Sequence, residues 1–420
     1  MNKLINDIQS FVNQVVFFVI YAGVFSFIMF GCQPKEITDA VEVVLFLQIP
    51  DIEGSAVPIV QDCELIAKDL NMGGITKCAI PNIKDTIRIS LSRGYYDFEL
   101  KGIVLIGSEQ MQLRGYLKSF TVTAPMRDTI ACTISNNHAG WVIAEIFFAG
   151  TQTPQGKNYI GDKYIVLYNN SPDTLYSDGL VLVESKLKNT SEYTLTPDFR
   201  SSAIGADALY RIPAGSNKYP VAPGGRILLV DNAMDHTKAN SNSYDLSHAD
   251  WEWYDQSTNP NVTDVDNPDV PNLEKIYCYT LTIWGPNNQG NTSFAIGRMP
   301  DTLTVEQYLT QYRLDYDYIN VTIAGTFNMS ATTYLFPNEW VIDAVNLCPS
   351  DTYEWLVTDL SLDAGYTYVA ATGSDKTRFG KSVRRKTSAT INHLKVLQDS
   401  NNSTDDFQTA QQADPYYFDD

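Results

Sequence analysis

Four histidines and six cysteines in 420 residues leave little material for metal or thiol chemistry. The cysteines form no CxxC pair, which argues against a zinc site and a dithiol redox centre. His138, His236, His248 and His393 show no HExxH-type helical spacing. A GxSxG elbow, a GxGxxG turn and a Walker loop are all missing, so neither a nucleophile elbow nor a nucleotide cofactor is indicated. Basic residues are scarce as well. Thirty Lys and Arg face 49 Asp and Glu, a formal net charge of −19. A surface that acidic repels phosphate backbones, so no nucleic-acid partner is expected. The one basic cluster, RFGKSVRRK at residues 378–386, reads as a solvated turn or strand edge.

Long apolar runs are limited to one, VVFFVIYAGVFSFIMF at residues 15–30. A spanning helix needs about 20 apolar residues, whereas an export signal needs roughly 7–15. The run ends at Gly31-Cys32, followed by Gln33 and Pro34. This resembles a bacterial lipoprotein signal, in which a small residue precedes a Cys that is acylated and becomes the new N-terminus. The resemblance implies a signal peptide over residues 1–31, lipid attachment at Cys32, a tether over 32–39 and an outer-membrane location on the periplasmic or surface face. Met29 and Phe30 depart from the usual residues of the motif. An uncleaved signal anchor is the alternative. Beyond Cys32 five cysteines are left, an odd number. Buried free thiols are expected, with Cys63–Cys78 the one pair considered for a disulfide.

What is present instead is period-two alternation. AVEVVLFLQI (40–49), TIRISLS (86–92), YYDFELKGIVLI (95–106) and YLKSFTVTA (116–124) are rich in β-branched and aromatic residues, with turn residues between them. The spacing predicts a small β-sandwich over residues 40–124. The stretch SRGYYDFELKG resembles transthyretin-like modules, which implies an immunoglobulin-like or prealbumin-like topology. Residues 125–140 are polar and turn-rich and read as a linker. One helix is predicted, over residues 304–312. There Thr304 and Gln307 have capping-box spacing, and Val305, Tyr308, Leu309 and Tyr312 share a face.

Residues 141–420 resemble a lamin-tail domain. WVIAEIFF, the strand YIVLYN, VAPGGRILLVDNA (221–233), NEWVIDAVN (338–346) and GKSVRRK (380–386) follow in that family's order. The fold class expected is therefore all-β: two β-sandwich modules, the second lamin-tail-like with long loop insertions near 186–219 and 235–273. The whole chain also resembles a Bacteroidota lipoprotein family known as domain of unknown function 4876, through FFAGTQTPQGKNYIGDKY, YDLSHADWEWYD and PDVPNLEKIY.

The loop DHTKANSNSYDLSHADWEWYDQ, residues 235–256, concentrates candidate chemistry. Tyr244, Trp251, Trp253 and Tyr254 would form a platform for a glycan or protein partner. Trp251 and Trp253 alternate and so share one face of a strand. The competing reading has these aromatics sealing the loop onto the sandwich. His236 and His248 are the weak metal candidates. DVDNPD (264–269) fails the EF-hand pattern, since Pro268 and Asp269 stand where a ligand and a Gly are required. Asp-Thr-Ile/Leu at Asp85, Asp128, Asp173 and Asp301 resembles a Bacteroidota O-glycosylation acceptor, and equally the start of ordinary turns. The function expected is a lipid-anchored cell-envelope binding or accessory protein without catalytic activity or cofactor, partnering a TonB-dependent transporter or another envelope protein. The alternatives are an extracellular metal-dependent hydrolase or its targeting subunit, and a structural envelope protein.

Overall fold

Alternating β-branched and aromatic residues become sheet almost everywhere in a computed structural model of the chain. It describes residues 40–49, 59–81, 86–106, 109–135, 140–322, 325–391 and 393–419. The first seven strands are β1 (Val41–Gln48), β2 (Ile59–Asp69), β3 (Ile75–Ala79), β4 (Ile87–Leu91), β5 (Gly94–Ile106), β6 (Glu109–Val122) and β7 (Met126–Ser135). They form one sheet in the order β3-β2-β5-β6-β7-β1-β4. β7 bends this sheet over on itself. Its end pairs antiparallel with β6, from Gly115↔Cys132 to Gln112↔Ser135. Its start pairs parallel with β1, from Val43↔Met126 onward. A strand shared by two layers in this way closes a core, here built on Leu45, Leu65, Phe98, Leu100, Leu113 and Ile130.

This corrects one boundary. The segment read as a linker from residue 125 contains β7, and the first module runs to residue 135. Pro125 and the polar Arg127, Asp128 and Thr129 hide the strand, while Ile130 and Cys132 point into the core. Cys63, Cys78, Cys132, Cys278 and Cys348 are all free thiols. Burial pushes the Cys132 thiol up to about 12. Gly102 opposite Cys63 is required by close approach: a Cβ there would stand 2.1 Å from the Cys63 sulfur.

From residue 141 two further sheets face each other. One has the order Trp251–Glu252, Arg226–Val230, Tyr164–Asn169, Trp141–Phe147, Lys381–Arg385, Phe407–Gln412. The other runs Thr194–Thr196, Arg313–Thr322, Gly325–Pro337, Ala203–Arg211, Leu180–Ser185, Ser293–Arg298, Val341–Asn346, with Glu274–Cys278 beside Ala203–Arg211. Ile143, Ile165 and Leu229 from the first meet Leu182, Tyr210, Phe294 and Val345 from the second in one buried cluster. The fold is all-β. The expected insertion at 186–219 is only partly loop, because Ala203–Arg211 is an inner strand of the second sheet. Its small residues Ala203, Gly205, Ala206 and Ala208 weaken the strand signal, yet they admit Phe199 and Thr333 closely above Gly205.

The helix Val305–Gln311 forms as expected, with both hydrogen bonds of the Thr304–Gln307 capping box present. It buries Tyr308 against the second sheet, with Val305, Leu309 and Tyr312 packed around it. Among the described residues, no helix is long and apolar enough to cross a membrane.

The basic cluster at 378–386 is not a solvated edge. Arg384 and Arg385 are buried. Arg384 Nε donates to Glu145 Oε2 at 2.7 Å, and Arg385 Nη2 donates to Asp343 Oδ2 at 2.6 Å. Arg385 also lies 3.2 Å from Asp399 and 3.6 Å from Asp406, and its Nε donates to the Ile143 carbonyl. Buried guanidinium groups need such partners, and these acids come from distant segments of the chain.

Candidate functional site

Local backbone irregularity builds the first wall of a cleft between the two modules. The β5–β6 register slips between Tyr96 and Phe98, and this bulge turns Asp97, Lys118 and Ser119 out of the ladder. Ser119 has φ +53°, and its N–H donates to Asp97 Oδ1 at 2.8 Å. Lys118 Nζ lies 4.0 Å from Asp97 Oδ2. Lys68 and Leu70, where β2 meets its turn, continue this wall.

The opposite wall comes from the second module. Tyr353 and Tyr366 stack with ring centroids 4.5 Å apart and planes 6° from parallel. Arg200 lies over the Trp355 ring at 4.0 Å and grips both oxygens of Asp198, at 3.1 and 2.8 Å. Trp355 is itself held by its indole N–H on the Lys188 carbonyl, 2.8 Å. The space between the walls is about 740 Å³. Burial, then the charge of Asp97 across the cleft, pushes the Tyr353 hydroxyl up to about 12, so it stays a neutral donor.

The short helix Ser403–Asp406 is the joint of this arrangement. The Thr404 hydroxyl accepts from the Tyr366 N–H and donates to the Tyr366 carbonyl, at 3.1 and 3.0 Å, which fixes the stacked ring. Asn402 donates to the Tyr116 hydroxyl of the first module, 3.3 Å, and Asp405 lies 4.0 Å from Arg114. Ser403 donates twice to the buried Asp363, and Asp406 reaches the Arg385 network. One turn of helix therefore holds an aromatic of the cleft, touches the other module and is anchored in the core.

The residues singled out from the sequence lie elsewhere. Trp251 is 5% exposed and Trp253 fully buried. Their alternation does place both on one face, but that face points inward. Trp253 meets Trp284 edge to face at 5.2 Å, and Trp251 meets Tyr219 at 4.9 Å. Tyr244 packs edge-on against Phe147 and Tyr164, and Tyr254 is half-buried. The expected aromatic platform is thus corrected to a hydrophobic seal. The driving force is area: large rings on a long loop lower the free energy most by covering the sheet.

His236 is buried and His248 exposed. His236 Nδ1 accepts from the Tyr159 hydroxyl at 2.7 Å, so Nε2 carries the proton and donates to the Asn232 carbonyl at 2.9 Å. Both ring nitrogens are spent inside the fold. Burial lowers the His236 pKa below its ordinary value. Among the described residues no group of three or more His, Cys, Asp or Glu is placed to hold a metal ion. Cys32 and Asp85 lie outside the described residues, while Thr129, Thr174 and Thr302 of the Asp-Thr motifs are exposed.

Sequence reasoning missed the cleft. The signal it offered was the density of rings in DTYEWLVTDLSLDAGYTY (351–368), without periodicity to say which way they face. The other wall stands some 250 residues upstream, a pairing that only the assembled fold creates.

Residues 222–414 match the model of a family described as "Protein of unknown function (DUF4876)". The match takes in YDLSHADWEWYD and PDVPNLEKIY. No curated protein matches the chain. Among solved structures, the chain is similar to the crystal structure of a DUF4876 family protein from Bacteroides thetaiotaomicron VPI-5482 at 2.50 Å resolution. The two share 19% identity over 90% of this chain and 97% of that one, with a TM-score of 0.57. At that identity the likeness is one of fold.

Proposed function

We propose that this chain, whose residues 222–414 match the DUF4876 family model, is a lipid-anchored cell-envelope binding protein without catalytic activity. Cys32 holds it to the outer membrane, and the cleft between its modules receives a ligand or an envelope partner such as a TonB-dependent transporter. The observation that carries the recognition half is the joint at Ser403–Asp406. Through Thr404 it fixes Tyr366 at the mouth of a cleft whose other wall belongs to a separate module. Rings held in place before binding lose little conformational entropy on contact, which favours recognition. The anchor rests on Gly31-Cys32 at the end of a charge-free run. Several acyl chains at about 0.8 kcal/mol per buried methylene would make it permanent.

Two measurements test the halves separately. Cys32→Ala should move the protein from the membrane to the soluble fraction, and continued membrane association would show a retained span instead. A photo-cross-linking amino acid at Lys118, in the cleft wall, should capture an envelope component from native membranes. Capture of the same component by a probe at Lys77, on the outer edge strand β3, would show that the cleft is not the docking place.

A further inference from the structure

On the reading that the cleft is the recognition site, its chemistry specifies what enters it: we infer that the ligand is a neutral oligosaccharide. Three features carry this. The first is the Tyr353–Tyr366 stack, whose two rings lie nearly parallel at 4.5 Å. Each ring spends one face on its neighbour. Tyr366 is only partly buried and lies in the cleft lining, so its outer face is available to the C–H surface of a pyranose ring. Its backbone is clamped on both sides by the Thr404 hydroxyl, so the platform is rigid before ligand arrives.

The second feature is how the charges are arranged. Arg200 forks onto Asp198, and Lys118 stands beside Asp97. Ion pairs made within the cleft leave polar edges that donate and accept hydrogen bonds, and the charge left over in the lining is acidic, from Glu192, Glu354 and Asp359 against Lys68. Hydroxyl groups suit such edges, because each both donates and accepts. A phosphate or uronate would instead meet a chain of net charge −19 and a wall that includes Glu192 and Glu354.

The third feature is shape. About 740 Å³ of space between a polar wall and an aromatic one has room for a short chain of sugar rings. Leu70, 44% exposed, adds one apolar side chain to the polar wall. A buried apolar ligand would have to strip water from the charged side chains of the lining.

The test is native gel electrophoresis of the full-length protein in detergent through soluble dextran, barley β-glucan, yeast mannan, arabinoxylan and polygalacturonate. Retardation by at least one neutral polysaccharide is expected. It should change less than twofold in affinity between low and high salt, and weaken at least tenfold in Tyr366→Ala. Lys118→Ala, at an exposed position that no core contact depends on, should weaken it as well if Tyr366→Ala compromises folding. No retardation by any neutral polysaccharide, retardation by polygalacturonate alone, or binding unchanged in both variants overturns the inference. Should the Lys118 cross-linker still capture an envelope protein while no polysaccharide binds, the ligand class is wrong and the cleft remains the docking place.

Discussion

Replacing Arg385 by Met removes one charge from a buried cluster and leaves its partners stranded. The Arg385 side chain is 1% exposed and Asp343 3%. The guanidinium bridges Asp343, Asp399 and Asp406 and two carbonyls, those of Ile143 and Gln398. Breaking a buried pair by removing one partner costs about 3–5 kcal/mol, since the orphaned carboxylate cannot regain water. Asp399, 16% exposed, adds roughly 0–1 kcal/mol. The sum of about 4 kcal/mol should lower the melting temperature by roughly 8–16 °C, at about 2–4 °C per kcal/mol for a body of this size. Differential scanning calorimetry reads that shift. Arg313→Met, in an exposed pair with Asp315, is the control and should cost less than about 1 kcal/mol. Asp343→Asn combined with Arg385→Met should cost less than the sum of the two single changes by more than about 1 kcal/mol, because the orphaned charge is gone. An Arg385→Met cost no larger than the control, or strict additivity in the double variant, would refute the reasoning.

Two further outcomes bear on the long loop. Trp253→Ala should destabilise by about 3–5 kcal/mol, as expected for a fully buried aromatic, and leave cross-linking from Lys118 unchanged in the folded fraction. Lost capture without lost stability would restore Trp253 as a contact residue. The stability of the wild type relative to His236→Gln should fall as pH drops below about 6.5. Burial keeps folded His236 neutral while the unfolded chain takes up a proton, so the unfolded state gains protons first. The slope is at most about 1.4 kcal/mol per pH unit, and chemical denaturation at pH 7.5 and 5.5 measures it. An unchanged difference between the two proteins would mean that His236 titrates freely.

Much of the architecture was legible because strands announce themselves locally. WVIAEIF, YIVLYN, RILLV, VIDAVN and KSVRR are all strands of the second module, and the Thr304 capping box marked its helix to within a residue. Such signals depend on side-chain alternation and on hydrogen bonds three residues apart, which a linear reading contains. Strands of small residues failed, as at Ala203–Arg211, and so did strands with polar starts, as at β7. In both, burial comes from neighbours rather than from the segment's own hydrophobicity.

By itself the sequence determined an all-β, strongly acidic chain, the strand periods, the helix cap and a Gly-Cys pair after an apolar run. Only the tertiary structure decided where polar and aromatic groups face. The same alternation of Trp251 and Trp253 describes an exposed platform or a buried seal, and packing chose the seal. The RRK run reads as surface until Glu145, Asp343 and Asp406 arrive from distant segments to neutralise it. The cleft belongs wholly to this second class. Asp97 and Tyr366 stand far apart along the chain and face each other across it because the Ser403–Asp406 turn sets one module against the other. Periodicity is a local property, and facing is a property of the pair.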